Sequence, residues 1–129
     1  MKLKNLSLTY SSRIFKALSE ESRVRIINLL HHHGEMCISD IEQILDFTQT
    51  KTSRHMSYLK NAGMVGYRKS DQWIFYYIQD EVQGLLGQIW NYVEKDQVLT
   101  KDIQIFEVMY SNRELAAYKH KQSSREIGS

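Results

Sequence analysis

Apolar residues recur at helical spacing along most of this chain. Tyr10, Ile14, Phe15 and Leu18 lie on one side of a helix expected over about residues 7–18. Ser19 has the chemistry of an N-cap, with Glu20 and Glu21 well placed against the helix dipole. It opens a second helix from about Glu20 to His33, which buries Val24, Ile27 and Leu30 and stops at Gly34. Ser39-Asp40-Ile41-Glu42 matches a capping box, so a third helix is expected from Ser39 with Ile41, Ile44 and Leu45 inward. Asp46-Phe47 reads as a turn, and Thr48 caps a fourth helix that ends before Gly63.

The period then changes. Met64 to Arg68 and Trp73 to Ile78 are rich in β-branched and aromatic residues, separated by the polar Lys69-Ser70-Asp71-Gln72, which predicts a β-hairpin. The turn has no Asn-Gly pair, so its type is left open. Val82, Leu85, Leu86, Ile89, Trp90 and Val93 next form an unbroken stripe at i, i+3, i+4, i+7, i+8, i+11. A stripe that wide needs a cover, and a second copy of the chain is the simplest one. Thr100 is a candidate cap for a last helix carrying Ile103, Phe106, Met109 and Tyr110 and continuing through Leu115 toward Lys121.

With no proline and six glycines in 129 residues, little interrupts helices, so the expected fold is mainly α with one small β-hairpin. The layout reads as a winged helix-turn-helix and dimerisation domain over 1–95, a helical extension over 96–121 and a flexible tail over 122–129. A hydrophobic share of 42% and a charged share of 25% are those of a globular protein rather than a disordered one. No apolar run approaches the roughly 18 residues that span a bilayer, and no leader-like segment follows Met1, so no membrane partner is expected. The single cysteine, Cys37, excludes an intrachain disulfide and fits a reducing cytoplasm.

Residues 39–62 carry the chemistry. Two short helices joined by a tight turn, the second with cations and amides outward, are the sequence form of a helix-turn-helix, and one such helix fills the major groove of B-DNA. The net charge of +2 says little, but its distribution says more: Lys51, Arg54, Lys60, Arg68 and Lys69 lie between Gln49 and Ser70 without one Asp or Glu. The expected DNA-contacting residues are Gln49, Thr50, Lys51, Ser53, Arg54, His55, Ser57 and Lys60, with Arg68 and Lys69 on the hairpin as phosphate clamps. Gln49 can pair with adenine, Arg54 can be bidentate to guanine, and His55 can donate to a base or phosphate. Tyr67, Trp73 and Tyr76 are expected to pack the hairpin onto the fourth helix.

Residues 13–78 resemble the ArsR/SmtB family of bacterial winged-helix repressors. The resemblance rests on an ordered set of motifs: Ile14-Phe15-Lys16-Ala17-Leu18-Ser19 with Ser22-Arg23-Val24-Arg25-Ile26-Ile27, then Gly34-Glu35-Met36-Cys37-Ile38-Ser39-Asp40-Ile41. Thr48-Gln49 through Met56, Leu59-Lys60-Asn61-Ala62-Gly63-Met64-Val65 and Trp73-Ile74-Phe75-Tyr76-Tyr77 complete it. The resemblance implies a homodimer that binds a roughly palindromic operator and represses transcription, typically of its own operon, until a signal releases it. The first and fifth helices then pack across the dyad through Tyr10, Ile14, Val82, Leu85, Leu86, Ile89, Trp90 and Val93. That places two recognition helices on the order of 34 Å apart.

The effector is not legible. Metal-responsive members of the family carry a Cys-x-Cys pair where this chain has Cys37 and Ser39, and one thiolate is a poor basis for a soft-metal site. The family's zinc ligands on the fifth helix are matched by Asp80 but then fall on Val82, Val93 and Asp96. No cofactor or metal is therefore expected. Cys37 with Asp40 and the run His31-His32-His33 is an alternative transition-metal or thiol-sensing site, set against histidines that merely decorate a helix C-terminus. The competing functional reading is a winged-helix protein-interaction module without DNA binding. An enzyme is not expected, because no nucleophile-elbow, phosphate-loop or HExxH arrangement occurs.

Overall fold

A computed structural model describes residues 5–116, 118 and 119. Ser7 caps the first helix, α1 (Leu8–Ala17), by accepting from Tyr10 N. The helix closes on the Ser19 hydroxyl, which donates to Lys16 O. Ser19 thus ends α1 instead of opening the next helix, and α2 (Glu21–His33) starts with Glu20 as its N-cap. Gly34 terminates α2 at φ 104°, a backbone conformation that suits a residue without Cβ. The helix buries Arg23, Ile26, Ile27, Asn28, Leu29 and Leu30, a broader face than the apolar spacing predicts.

A short strand β1 (Glu35–Met36) follows, and then α3 (Ile38–Leu45). The capping box at Ser39 does not form: Cys37 is the extended N-cap, and the Ser39 hydroxyl lies 3.2 Å from Cys37 Sγ. Ile41, Ile44 and Leu45 are buried as expected, and Asp46 ends α3 in the left-handed region. Thr48 caps α4 (Gln49–Asn61), accepting from Lys51 N through its side chain. The chain then enters β2 (Val65–Ser70) and returns in β3 (Trp73–Ile78) through the two-residue loop Asp71-Gln72, with Asp71 at φ 57°. β1 pairs with the other edge of β3, giving a three-stranded antiparallel sheet of order β1-β3-β2. Tyr10 fixes the junction between α4 and the sheet, its hydroxyl donating to Gly63 O at 2.6 Å.

Helix α5 (Asp80–Val93) divides its apolar stripe between two tasks. Val82, Leu86 and Trp90 are buried in the protomer's own core, and Trp90 Nε1 donates to Asn28 Oδ1 at 2.9 Å. Leu85 and Ile89 are only partly buried. The last helix, α6 (Gln97–Ser111), is capped by Asp96 through Val98 N, not by Thr100. It folds back on α2 and α3. Arg25 grips Asp102 with two hydrogen bonds of 2.9 and 3.0 Å, and Phe106 joins the main core. Among the described residues no helix is long and apolar enough to cross a membrane. The tail expected over 122–129 lies outside the described residues.

Candidate nucleic-acid interface

Two faces of α4 separate cleanly by helical period. Thr52, His55, Met56 and Leu59 are buried at i, i+3, i+4, i+7, while Thr50, Arg54, Ser57 and Asn61 are exposed at i, i+4, i+7, i+11. Gln49 and Lys60 flank the exposed stripe, and Lys51 and Ser53 stand half-buried at its edges. The burial of the inner face is what presents the outer one. Arg54 has no ion-pair or hydrogen-bond partner among the described residues. Lys51 and Lys60 are each steadied over an aromatic ring, Lys51 Nζ 4.0 Å from the Phe47 centroid and Lys60 Nζ 4.8 Å from that of Tyr67.

His55 is corrected from the expected set of DNA contacts. It is 3% exposed, points inward, and reaches neither groove nor backbone of a bound duplex. Its Nδ1 lies 3.4 Å from Arg23 NH1. Because a guanidinium only donates, Nδ1 must accept and the ring proton sits on Nε2. Glu20 Oε1 lies 3.3 Å from Nε2, yet that nitrogen has no aligned hydrogen bond. Burial, opposed by Glu20 and reinforced by Arg23, Arg54 and Lys51, holds the His55 pKa below its ordinary value.

Arg23 is the residue that the sequence reading missed. Its Nε donates to Ala17 O at 2.7 Å, NH1 to Glu20 Oε2 at 2.9 Å, and its plane covers the Tyr58 ring at 4.0 Å. One buried guanidinium therefore ties the end of α1, the start of α2 and the inner side of α4 together. Its position was a usable signal: a cation on the buried face of α2 needs partners there.

On the hairpin, Arg68 is exposed but already engaged. Its Nε and NH2 groups, one edge of the guanidinium, donate to the two oxygens of the Glu35 carboxylate, across β3 from β2, and the group also covers the Phe75 ring at 5.1 Å. Lys69 is exposed and has no ion pair among the described residues. Tyr67 and Tyr76 contact each other at 5.9 Å between centroids, in line with a packing role. Trp73 instead packs near Cys37, Phe75 and Ala116, not against α4.

Cys37 is buried, and burial is the main cause that raises its thiol pKa. The Asp40 carboxylate is buried beside it and accepts from Ala116 N at 2.7 Å. His33 and His32 stack near Phe106, and His31 near Trp90. Among the described residues no three metal-ligating side chains converge.

The expected dimer surface also needs correction. Ile14, Val82, Leu86 and Trp90 are closed inside the protomer and out of a partner's reach. Tyr10, Leu85 and Ile89 are partly buried and Val93 is 40% exposed. On α1 and α5 the most exposed large apolar groups are Leu8 (84%), Phe15 and Tyr92 (88%), none of which the sequence reading placed at the dimer surface. The face of α6 carrying Ile103, Phe106 and Tyr110 packs against the chain's own core.

Residues 13–67 match the profile of the bacterial regulatory proteins of the arsR family. The chain is 32% identical over 84 residues to the arsenical resistance operon repressor of Escherichia coli strain K12, covering 65% of this chain and 72% of that one. It is 37% identical over 70 residues to a cadmium resistance transcriptional regulatory protein CadC homolog of Staphylococcus aureus, over 54% of this chain and 58% of the relative. The chain thus spans less than two thirds of the cadmium-resistance relatives, 58–66% of their length. Among solved structures, it is similar to the homodimeric winged helix-turn-helix DNA-binding domain of a possible ArsR-family transcriptional regulator from Mycobacterium bovis. That likeness has a TM-score of 0.60 and 26% identity, over 70% of this chain and 83% of that one.

Proposed function

Since the chain belongs to the arsR family of bacterial regulatory proteins, we propose that it is a dimeric, sequence-specific DNA-binding repressor acting on its own operon. The observation that carries this reading is the split of α4 into a buried inner face and an exposed stripe of Thr50, Arg54, Ser57 and Asn61. A helix presented in this way inserts into the major groove, where Arg54 takes guanine and Gln49 or Asn61 takes adenine. Thr50, Ser53 and Ser57 supply shorter polar contacts. Lys51, Lys60 and Lys69 hold phosphates on either side, and Arg68 joins them only by exchanging Glu35 for a phosphate. Leu8, Phe15, Leu85, Ile89, Tyr92 and Val93 provide the face on which a second copy packs.

The relatives named for cadmium and arsenical resistance raise the question of a soft metal. The donor set here does not fit one. The chain has a single thiol, held protonated by burial, and the neighbouring Asp40 carboxylate is committed to Ala116 N. No step of the proposed activity runs through a metal. Nor does an enzymatic reading gain support, because the family is one of regulators.

The deciding experiment measures binding to a labelled duplex taken from DNA upstream of the chain's own coding sequence, with a shuffled duplex as reference, across a salt series. Preference for the upstream duplex by about a thousand-fold or more supports the reading. Equal affinity for both duplexes, or none for either, refutes it.

A further inference from the structure

The exposed stripe of α4 does not end at the helix. Tyr58 and Asn61 form one wall of a cleft of about 330 Å³ whose other wall is Arg13 and Lys16 of α1, with Ala62 at its end. Among the described residues no carboxylate lines it. Arg13 and Lys16 are both exposed, three positions apart and hence on one side of α1. Neither makes a hydrogen bond or ion pair through its side chain among the described residues. Beneath Tyr58 lies the Arg23 guanidinium, 4.0 Å from the ring centroid and paired with Glu20, so the charge of the cleft is set by Arg13 and Lys16.

Such a cleft attracts an anion, and its position says which one. Asn61 belongs to the same stripe as Thr50, Arg54 and Ser57, so a duplex lying along α4 passes the mouth of the cleft. We propose that Arg13 and Lys16 are a further phosphate-binding station, holding backbone phosphates of that same duplex beside the segment α4 reads. The proposal rests on the DNA-binding reading above and adds to it a contact from α1. It is compatible with pairing of two chains: Arg13 and Phe15 are two positions apart on a helix and point to nearly opposite sides, so a partner covering Phe15 leaves Arg13 free. The station explains what two cations without side-chain partners among the described residues do next to a helix whose exposed side carries Arg54, Lys60 and neutral polar groups.

The test is the slope of log affinity against log salt concentration for a labelled mixed-sequence duplex, a quantity that counts phosphates neutralised. The Arg13→Gln/Lys16→Gln protein should show a slope smaller than that of the unmodified protein by about 1.8, two phosphates at about 0.9 each. Lys101→Gln, an exposed cation on α6, should leave the slope unchanged. If the double variant melts at a lower temperature, Arg13→Gln alone carries the test, with a loss of about 0.9. An unaltered slope in the double variant, while Lys69→Ala still lowers it, overturns the α1 station and spares the parent reading. Failure of the unmodified protein to bind any duplex overturns both.

Discussion

Arg54 combines exposure, a guanidinium without a partner among the described residues and the centre of the outward stripe, so in the proposed reading it is the side chain that tests base recognition most directly. Arg54→Ala should weaken binding to the preferred duplex by about 1–3 kcal/mol and barely alter binding to random DNA. Equal losses in a side-by-side titration reassign Arg54 to a phosphate. His55, on the buried side of α4, acts on stability instead. Its folded pKa lies below the ordinary histidine value because burial disfavours the charged ring. Below about pH 6.5 the unfolded chain takes up a proton that the folded one refuses, so stability falls on acidification through that range and is full above it. Thermal melts from pH 7.5 to 5 should show that fall, and His55→Gln should flatten it. An unchanged pH slope in the variant rules out the histidine as the source.

At the level of elements, α6 is held to α2 by the paired hydrogen bonds from Arg25 to Asp102, a carboxylate only 3% exposed. Arg25→Ala strands that carboxylate, and urea unfolding should register a loss of about 2–3 kcal/mol. Part of the loss should return in the Arg25→Ala/Asp102→Ala protein. A loss of a few tenths of a kcal/mol makes the contact ornamental. The helices also show where the sequence was readable and where it was not. The register of α4 followed from local spacing, since Thr48 is a sound cap and no glycine or proline interrupts residues 49–61. The stripe on α5 was equally visible, but which half the protomer's own core covers depends on contacts distant in sequence, such as that of Trp90 with Asn28 of α2. Sequence pattern alone therefore gave all of it to a partner. β1 has two residues, too few for a period, and exists because β3 offers it an open edge. Caps misread by two positions at Ser39 and by four at Thr100 reflect competition: Cys37 and Asp96 already stood at extended backbone upstream.

For the whole molecule, Leu8 and Phe15 of α1 and Tyr92 and Val93 of α5 are large apolar groups left exposed by one chain, and they are the groups that the proposed pairing covers. Leu8→Asp/Tyr92→Asp alters only groups that are largely exposed in the protomer, so the variant should fold normally. Sedimentation should then show twice the chain mass for the unmodified protein and the single mass for the variant. Identical masses for the two remove this face from the dimer. Pairing also constrains the DNA, because two equal chains related by a dyad read two equal half-sites. Repeated selection of duplexes from a random-sequence pool puts both ideas to a single readout. The enriched sequences should be two-fold symmetric, with half-site centres about 10 base pairs apart. A pool that emerges no different from its starting composition, or an enriched site without symmetry, contradicts a paired repressor reading DNA through α4.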